Sequence, residues 1–149
     1  MNNLMKDKRG LVMGVANDKS IGWGIAKAIA DQGGELAFTY QGEALKKRVI
    51  PLADSVNSDI VLPCDVSNDE DIDNTFNELK KKWPKIDFLV HAIAFSDKDE
   101  LKGEYIDTSR ENFINTMDIS VYSFTAIARR ASLMMPDGGS LLTLSLIHI

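Results

Sequence analysis

The apolar residues of this chain change period along its length, short β-rich runs alternating with longer stretches in which they recur every three or four positions. That alternation is the mark of an α/β fold, in which helices carry the chain back over a parallel sheet. Residues 10–15 read as the first strand, and residues 21–32 as a helix with Ile21, Ile25, Ala28 and Ile29 on one face. Ser20 is placed as its N-cap, and Gly33 and Gly34 end it. Residues 35–40 form a second strand. Residues 42–56 carry a helix with Lys46, Lys47 and Arg48 on its outer face and an interruption or kink at Pro51. A short third strand at 59–63 precedes an amphipathic helix at 69–83 that opens with acids and closes with lysines, as the helix dipole favours.

Residues 86–94 are apolar except for Asp87 and His91, the pattern of a central strand covered on both faces. A polar loop follows at 96–107. Residues 109–135 read as one long helical region with Phe113, Met117, Val121, Phe124 and Ala128 on a stripe. Pro136, Asp137, Gly138 and Gly139 break it, and 140–144 begin a fifth strand. The expectation is a doubly wound parallel sheet of order 3-2-1-4-5, one domain over residues 1–149, incomplete at its far edge.

In such sheets the ligand belongs at the carboxyl ends of the strands, where the order reverses between strands one and four. Gly14, Ser20, Gly22 and Gly24 occupy the first of those loops, spaced for close backbone approach to a pyrophosphate at a helix N-terminus. The spacing is not G-x-G-x-x-G, and alone it fits a plain tight turn as well. His91 lies near the expected cleft, but a satisfied histidine in a buried strand accounts for it. Trp23 and Trp83 read as packing residues.

A net charge of -5, with basic residues only in short runs such as Lys80 to Lys82, argues against nucleic acid as a partner. The single cysteine, Cys64, sits in an apolar run and suits a reducing cytoplasm. No apolar stretch approaches a membrane span, and the start lacks the apolar segment of a signal peptide. A cytoplasmic protein is expected, with no metal cluster at ligand spacing and no Ser, His and acid triad.

The residues around the first loop are more informative than its glycines. The run Gly14-Val-Ala-Asn-Asp-Lys-Ser20-Ile21-Gly22-Trp-Gly24 closely resembles the divergent turn of bacterial enoyl-[acyl-carrier-protein] reductases, members of the short-chain dehydrogenase/reductase superfamily. The resemblance continues through Glu35 to Gly42, Ser58 to Val66, Asp87 to Ser96, Asp118 to Phe124 and Gly139 to Ser145, in order and with the family's spacing.

The resemblance implies a Rossmann-type fold and NADH as cofactor. Gly14, Ser20 and Ile21 would line the phosphates and nearby ribose. Gln41 would face the adenosine ribose, and its neutral amide does not itself settle NADH against NADPH. Lys46 to Arg48 could meet a 2′-phosphate, although a solvated helix face explains them too. Asp65 and Val66 would hold the adenine through carboxylate and backbone amide; a turn cap is the alternative for Asp65. Ile93 would pack near the adenosine and nicotinamide end, Ser96 would meet the acyl substrate, and Phe95 would wall that pocket, with core packing the alternative for Ile93 and Phe95.

The implied activity is reduction of a trans-2-enoyl thioester on acyl carrier protein in fatty-acid elongation: hydride goes to the β-carbon, leaving an enolate on the thioester oxygen. A tyrosine hydrogen-bonds that oxygen and a lysine holds the nicotinamide ribose. In the family this Tyr-x6-Lys pair follows strand five, so no catalytic residue is assigned here and the pair is expected beyond Ile149. Tyr40, Tyr105 and Tyr122 are not expected to replace it. Leu146-Ile147-His148-Ile149 departs from the family pattern and is expected to be a non-native tail on a truncated chain, with no role for His148.

The fragment is therefore expected to be inactive and to self-associate through an open edge of strand five and the apolar face of the long helix. Homotetramers are implied for the family, with that helix in one interface. The alternatives are a catalytically dead NAD-binding module and another short-chain oxidoreductase acting on a carbonyl. The latter should show Thr-Gly-x3-Gly-x-Gly and Asn-Ala-Gly, which this sequence does not.

Overall fold

A computed structural model describes residues 3–145; the expected non-native tail at 146–149 lies outside the described residues. The order of elements is β1 (Arg9–Met13), α1 (Ile21–Asp31), β2 (Glu35–Tyr40), α2 (Gly42–Ser55), β3 (Val61–Pro63), α3 (Asp69–Lys82), β4 (Phe88–His91), α4 (Arg110–Met117), α5 (Ser123–Ser132) and β5 (Ser140–Thr143). The strands form one parallel sheet of order β3-β2-β1-β4-β5, as expected from the alternation of periods.

Strand alternation divides the core in two. Leu11 and Met13 of β1 join Ile72, Phe76 and Leu79 of α3 and Ile127 and Ala131 of α5 on one face of the sheet. Val12, between them, turns to the other face and joins Phe38, Trp23 of α1, and Val49 and Ala53 of α2. With both faces covered, a central strand gains nothing from polar residues at every second position, which is why β1 and β4 read as continuous apolar runs. Each fully buried Leu or Ile contributes about 1.5–3 kcal/mol of transfer free energy.

Local chemistry sets the ends of the helices. The N-cap Asn68 accepts from the Glu70 and Asp71 amides, Asp69, Glu70 and Asp71 fill the first turn of α3, and Lys80, Lys81 and Lys82 its last. Helix α2 runs through Pro51, which sits on its exposed side where water can serve the carbonyl left without a donor. The ladders of β3 and β4 are shorter than their apolar runs. Ile86, expected in the strand, instead donates its amide to the Met134 carbonyl at 2.9 Å, so burial outlasts strand pairing there.

The expected long helical region is present and winds without a break from Arg110 to Ser132, but it changes pitch in the middle. A π turn at Asp118–Tyr122 separates α4 from α5. Its wider winding shifts the phase of the following helix, whose buried face is formed by Ser123, Ala126, Ile127 and Ala131, and much of the expected apolar stripe is left exposed, as anticipated. Phe113, Met117 and Val121 of that stripe are exposed. Leu141 and Leu142 of β5 are exposed as well, so the face of α4 and the rim of β5 together present apolar surface. No helix among the described residues is long and apolar enough to cross a membrane.

Candidate functional site

The carboxyl ends of β1, β2, β3 and β4 surround a cavity of about 430 Å³, at the point where the sheet order reverses. Gly14, Gln41, Asp65, Val66 and Ile93 all line it. They come from four strand ends far apart in sequence, with Asp65 and Val66 adjacent after β3.

Gly14 leaves β1 at φ +94, a conformation costly for any residue with a side chain. A Cβ there would stand 2.1 Å from the Ala92 carbonyl oxygen, so only glycine lets the exit of β1 lie against the exit of β4. The loop then turns on Ser20. Its hydroxyl oxygen accepts from the Ala16 amide at 3.0 Å and the Asn17 amide at 2.9 Å, and its proton goes to the Asn17 carbonyl at 2.6 Å. Ser20 thus shapes the loop from within, and its hydroxyl is committed to backbone partners.

The Ser20 carbonyl accepts from Trp23 and Gly24, while α1 begins with no side-chain cap and no acid in its first turn. Open N-terminal amides with no competing carboxylate suit an anion such as a pyrophosphate. Ile21 is exposed on the outside of this turn and does not line the cavity.

Gln41 donates from Nε2 to Asp65 Oδ2 at 3.1 Å, bridging the ends of β2 and β3. Asp65 Oδ1 accepts from the Ser67 hydroxyl at 2.6 Å and the Ser67 amide at 3.0 Å. Asp65 therefore caps its own turn and lines the cavity at once. The Ser67 hydroxyl hydrogen bond, assisted by the Ser67 amide and Gln41 against the opposing effect of partial burial, holds its carboxyl below the ordinary range. The neighbouring Cys64 thiol is pushed up, chiefly by burial, so it stays protonated and inert.

Ile93 and Val66 pack on the α3–α5 core while facing the cavity. Tyr40, Leu45, Asn115 and Ile119 also line it without having been expected. The position of Tyr40 at the end of β2 was a signal for it; Asn115 and Ile119 come from the helical region beyond the 93–107 loop, and nothing near them in sequence places them against the strand ends. The mix of apolar walls with a few convergent polar groups, in a volume within the usual range of about 300–1,000 Å³, fits a nucleotide.

Ser96 lies elsewhere, in a second cavity of about 520 Å³ between the loop after β4 and α4. Its hydroxyl accepts from Asn112 Nδ2 at 3.1 Å and from Thr116 Oγ1 at 3.0 Å, and the Asp97 amide donates to Asn112 Oδ1 at 3.0 Å. Phe95, on the wall of the first cavity, is fixed by Ser120 of the π turn, which accepts from its amide at 3.0 Å and donates to its carbonyl at 3.1 Å. The loop 93–97 is therefore the partition between the two cavities.

His91 is buried, with Nδ1 at 3.1 Å from Thr143 Oγ1 and Nε2 at 2.8 Å from Ser123 Oγ. Burial lowers its pKa, so it is neutral and satisfied in the core, as the sequence suggested. Tyr40 does have a lysine seven positions on, Lys47, but the interval spans the end of β2 and the start of α2, and the cation beside the Tyr40 ring is Lys46, at 5.8 Å.

A family model described as Enoyl-(Acyl carrier protein) reductase matches residues 14–149. The chain is 62% identical over 145 residues to enoyl-[acyl-carrier-protein] reductase [NADH] 2 of Rhizobium meliloti (strain 1021), an alignment covering 97% of this chain and 54% of that relative. The crystal structure of FabI from Candidatus Liberibacter asiaticus matches with a TM-score of 0.96 and 54% identity, covering 97% of this chain and 56% of that one. An enoyl-(acyl-carrier-protein) reductase from Anaplasma phagocytophilum, solved in complex with NAD, matches with a TM-score of 0.92 and 57% identity over 95% of this chain and 55% of that one. The chain spans about half the length of the relatives it matches.

Proposed function

Because the chain belongs to the enoyl-(acyl carrier protein) reductase family, we propose that its cavity at the strand ends binds NADH in an enzyme that reduces the trans-2-enoyl thioester double bond on acyl carrier protein. The observation that carries this reading is the convergence of Gly14, Gln41, Asp65, Val66 and Ile93 on one cavity at the reversal of strand order.

The open amides at the start of α1 and the backbone at Gly14 would take the pyrophosphate, in a loop whose shape Ser20 maintains. Gln41 and Asp65, already joined to each other, would orient the adenosine, with Val66 and Ile93 supplying apolar contact. Ile21 would border the phosphates from the rim. Bound NADH would supply the hydride. Phe95 and Ser96, on the partition between the cavities, would position the acyl thioester and exclude water from it. We take residues 1–149 as one dinucleotide-binding domain and the whole protein as a cytoplasmic homotetramer.

The test has two parts. NADH is titrated into the 149-residue chain, and crotonyl-thioester-dependent NADH oxidation is measured on the chain extended to the length of its relatives. Binding by the first and turnover by the second are expected. Saturable binding with no turnover in the extended protein would instead favour a nucleotide-binding module.

A further inference from the structure

We infer that Asn112 is a positioning residue for the acyl side of the cleft: with Thr116 it fixes the Ser96 hydroxyl as a hydrogen-bond donor, whose proton a carbonyl oxygen of the thioester substrate accepts. The inference rests on the function proposed above and adds to it what holds Ser96 and in which sense Ser96 is polar.

Helix α4 buries the opposite of what an amphipathic helix buries. Its apolar side chains Phe113, Ile114 and Met117 are exposed, and its one buried residue is Asn112, 8% exposed. A buried amide costs about 1–3 kcal/mol unless its polar atoms find partners. Here they do. The Asp97 amide donates to Asn112 Oδ1 at 3.0 Å, which settles which end of the side chain is oxygen. Nδ2 is then the end that faces Ser96, and it donates to the Ser96 oxygen at 3.1 Å. The helix start is pinned as well: Ser109 Oγ accepts from the Asn112 amide at 3.1 Å, and the Glu100 carboxylate accepts from the Ser109 hydroxyl at 2.6 Å and its amide at 2.9 Å.

Thr116, one turn further on, donates to the same Ser96 oxygen at 3.0 Å. A hydroxyl has two lone pairs and one proton. Asn112 and Thr116 fill the lone pairs and leave the proton. Within this cluster its acceptor would be Asn112 Oδ1, which stands at 3.5 Å, beyond the usual hydroxyl range of about 2.5–3.0 Å, and already serves the Asp97 amide. Ser96 lines the cavity of about 520 Å³, so its uncommitted proton is available to a ligand there. An acyl thioester brings carbonyl oxygens to meet it, its own and any amide carbonyl in the arm that carries it.

The experiment measures KM and kcat on the chain extended to the length of its relatives. Two crotonyl thioesters are compared, that of N-acetylcysteamine, whose arm holds an amide, and that of ethanethiol, whose arm does not. Asn112→Asp keeps an acceptor for the Asp97 amide but turns an oxygen toward Ser96 in place of Nδ2, drawing the Ser96 proton back into the protein. The thioester KM should rise about tenfold, equivalent to about 1.4 kcal/mol, with kcat and the KM for NADH unchanged. Ser96→Ala should raise it equally, and the double variant should show no further rise. Thr116→Val removes the second donor and keeps the shape, for an expected rise of about threefold. A rise with both thioesters assigns the thioester carbonyl as acceptor; a rise with the N-acetylcysteamine thioester alone assigns the amide of the arm.

A thioester KM unmoved by Asn112→Asp or Ser96→Ala, a KM for NADH that climbs in parallel, or a further rise in the double variant would overturn the inference and leave the proposed function standing. Should circular dichroism show that Asn112→Asp does not fold, an unmoved KM in Thr116→Val overturns it instead. An extended chain that oxidises no NADH with either thioester overturns the proposed function and the inference with it.

Discussion

The two sides of the cleft are built by different means. Beside β1, β2 and β3, most of the lining residues sit at or just after the end of a strand: Gly14 after β1, Gln41 after β2, Asp65 after β3. Beside β4, the wall is held from a distance, Phe95 by Ser120 of the π turn and Ser96 by Asn112 and Thr116 of α4. The first side inherits its geometry from the sheet. The second depends on polar contacts between segments some twenty residues apart, so it should yield more easily to single polar substitutions.

The largest expected effect tests how far backbone alone fixes the first side. Gly14→Val combines a positive φ with overlap on the Ala92 carbonyl and should cost about 3 kcal/mol or more, read as a urea or thermal midpoint. A variant melting like the original would mean that the strand exits are not in the contact described.

Next comes the second side. Asn112→Leu keeps the volume but removes the acceptor for the Asp97 amide and the donor to Ser96 at a position that is 8% exposed. A loss of about 1–3 kcal/mol is expected, with faster hydrogen exchange confined to the loop 93–97 and unchanged at Gly14. Uniform loosening of both sides would erase the contrast between them.

His91 links β4 to β5 and α5 and provides a smaller, pH-dependent effect. Its pKa is lowered in the folded state, so the unfolded chain binds the proton more readily. The stabilisation is therefore full above the unfolded value, about 6.5, and is lost as the pH falls from there through the folded value. Melting midpoints should drop between pH 7.5 and 5.5, and His91→Gln should flatten that dependence. An equally steep profile in the variant would assign the effect to other groups.

The smallest effect belongs to Gln41→Ala. The pair it makes with Asp65 is exposed, and stability should change by no more than about 0.5 kcal/mol. The Asp65 carboxyl should titrate higher by NMR because one donor to its charged form is gone. An unmoved titration would show that the two side chains do not meet in solution.

This contrast also explains what could be read from the residues. The strand order followed from alternating periods. Gly14 was found from its place in the loop after the first strand, while Gln41 and Asp65 came from the family resemblance, and the sheet makes all three neighbours. The placement of Ser20 was correct as the residue preceding α1, but its hydroxyl turned out to serve the loop. Phe113, Met117 and Val121 form the exposed apolar face expected of the long helical region, whereas no residue pattern announced the π turn at Asp118–Tyr122. Asn115 and Ile119 were missed because they reach the cavity from a helical region distant in sequence from the strand ends. Ser96 was named from the resemblance as a contact of the acyl substrate, and nothing in its neighbourhood in sequence revealed the Asn112 and Thr116 contacts that hold it.

The central claim is that the strand ends form a nucleotide site that this chain assembles by itself. Titration of the 149-residue chain with NADH, followed by calorimetry after circular dichroism has established that it is folded, tests that claim most directly. Saturable binding with one site per chain, displaced by 5′-AMP, is the predicted result; a folded chain that releases no binding heat at any NADH concentration and gains no thermal stability from the nucleotide would contradict it.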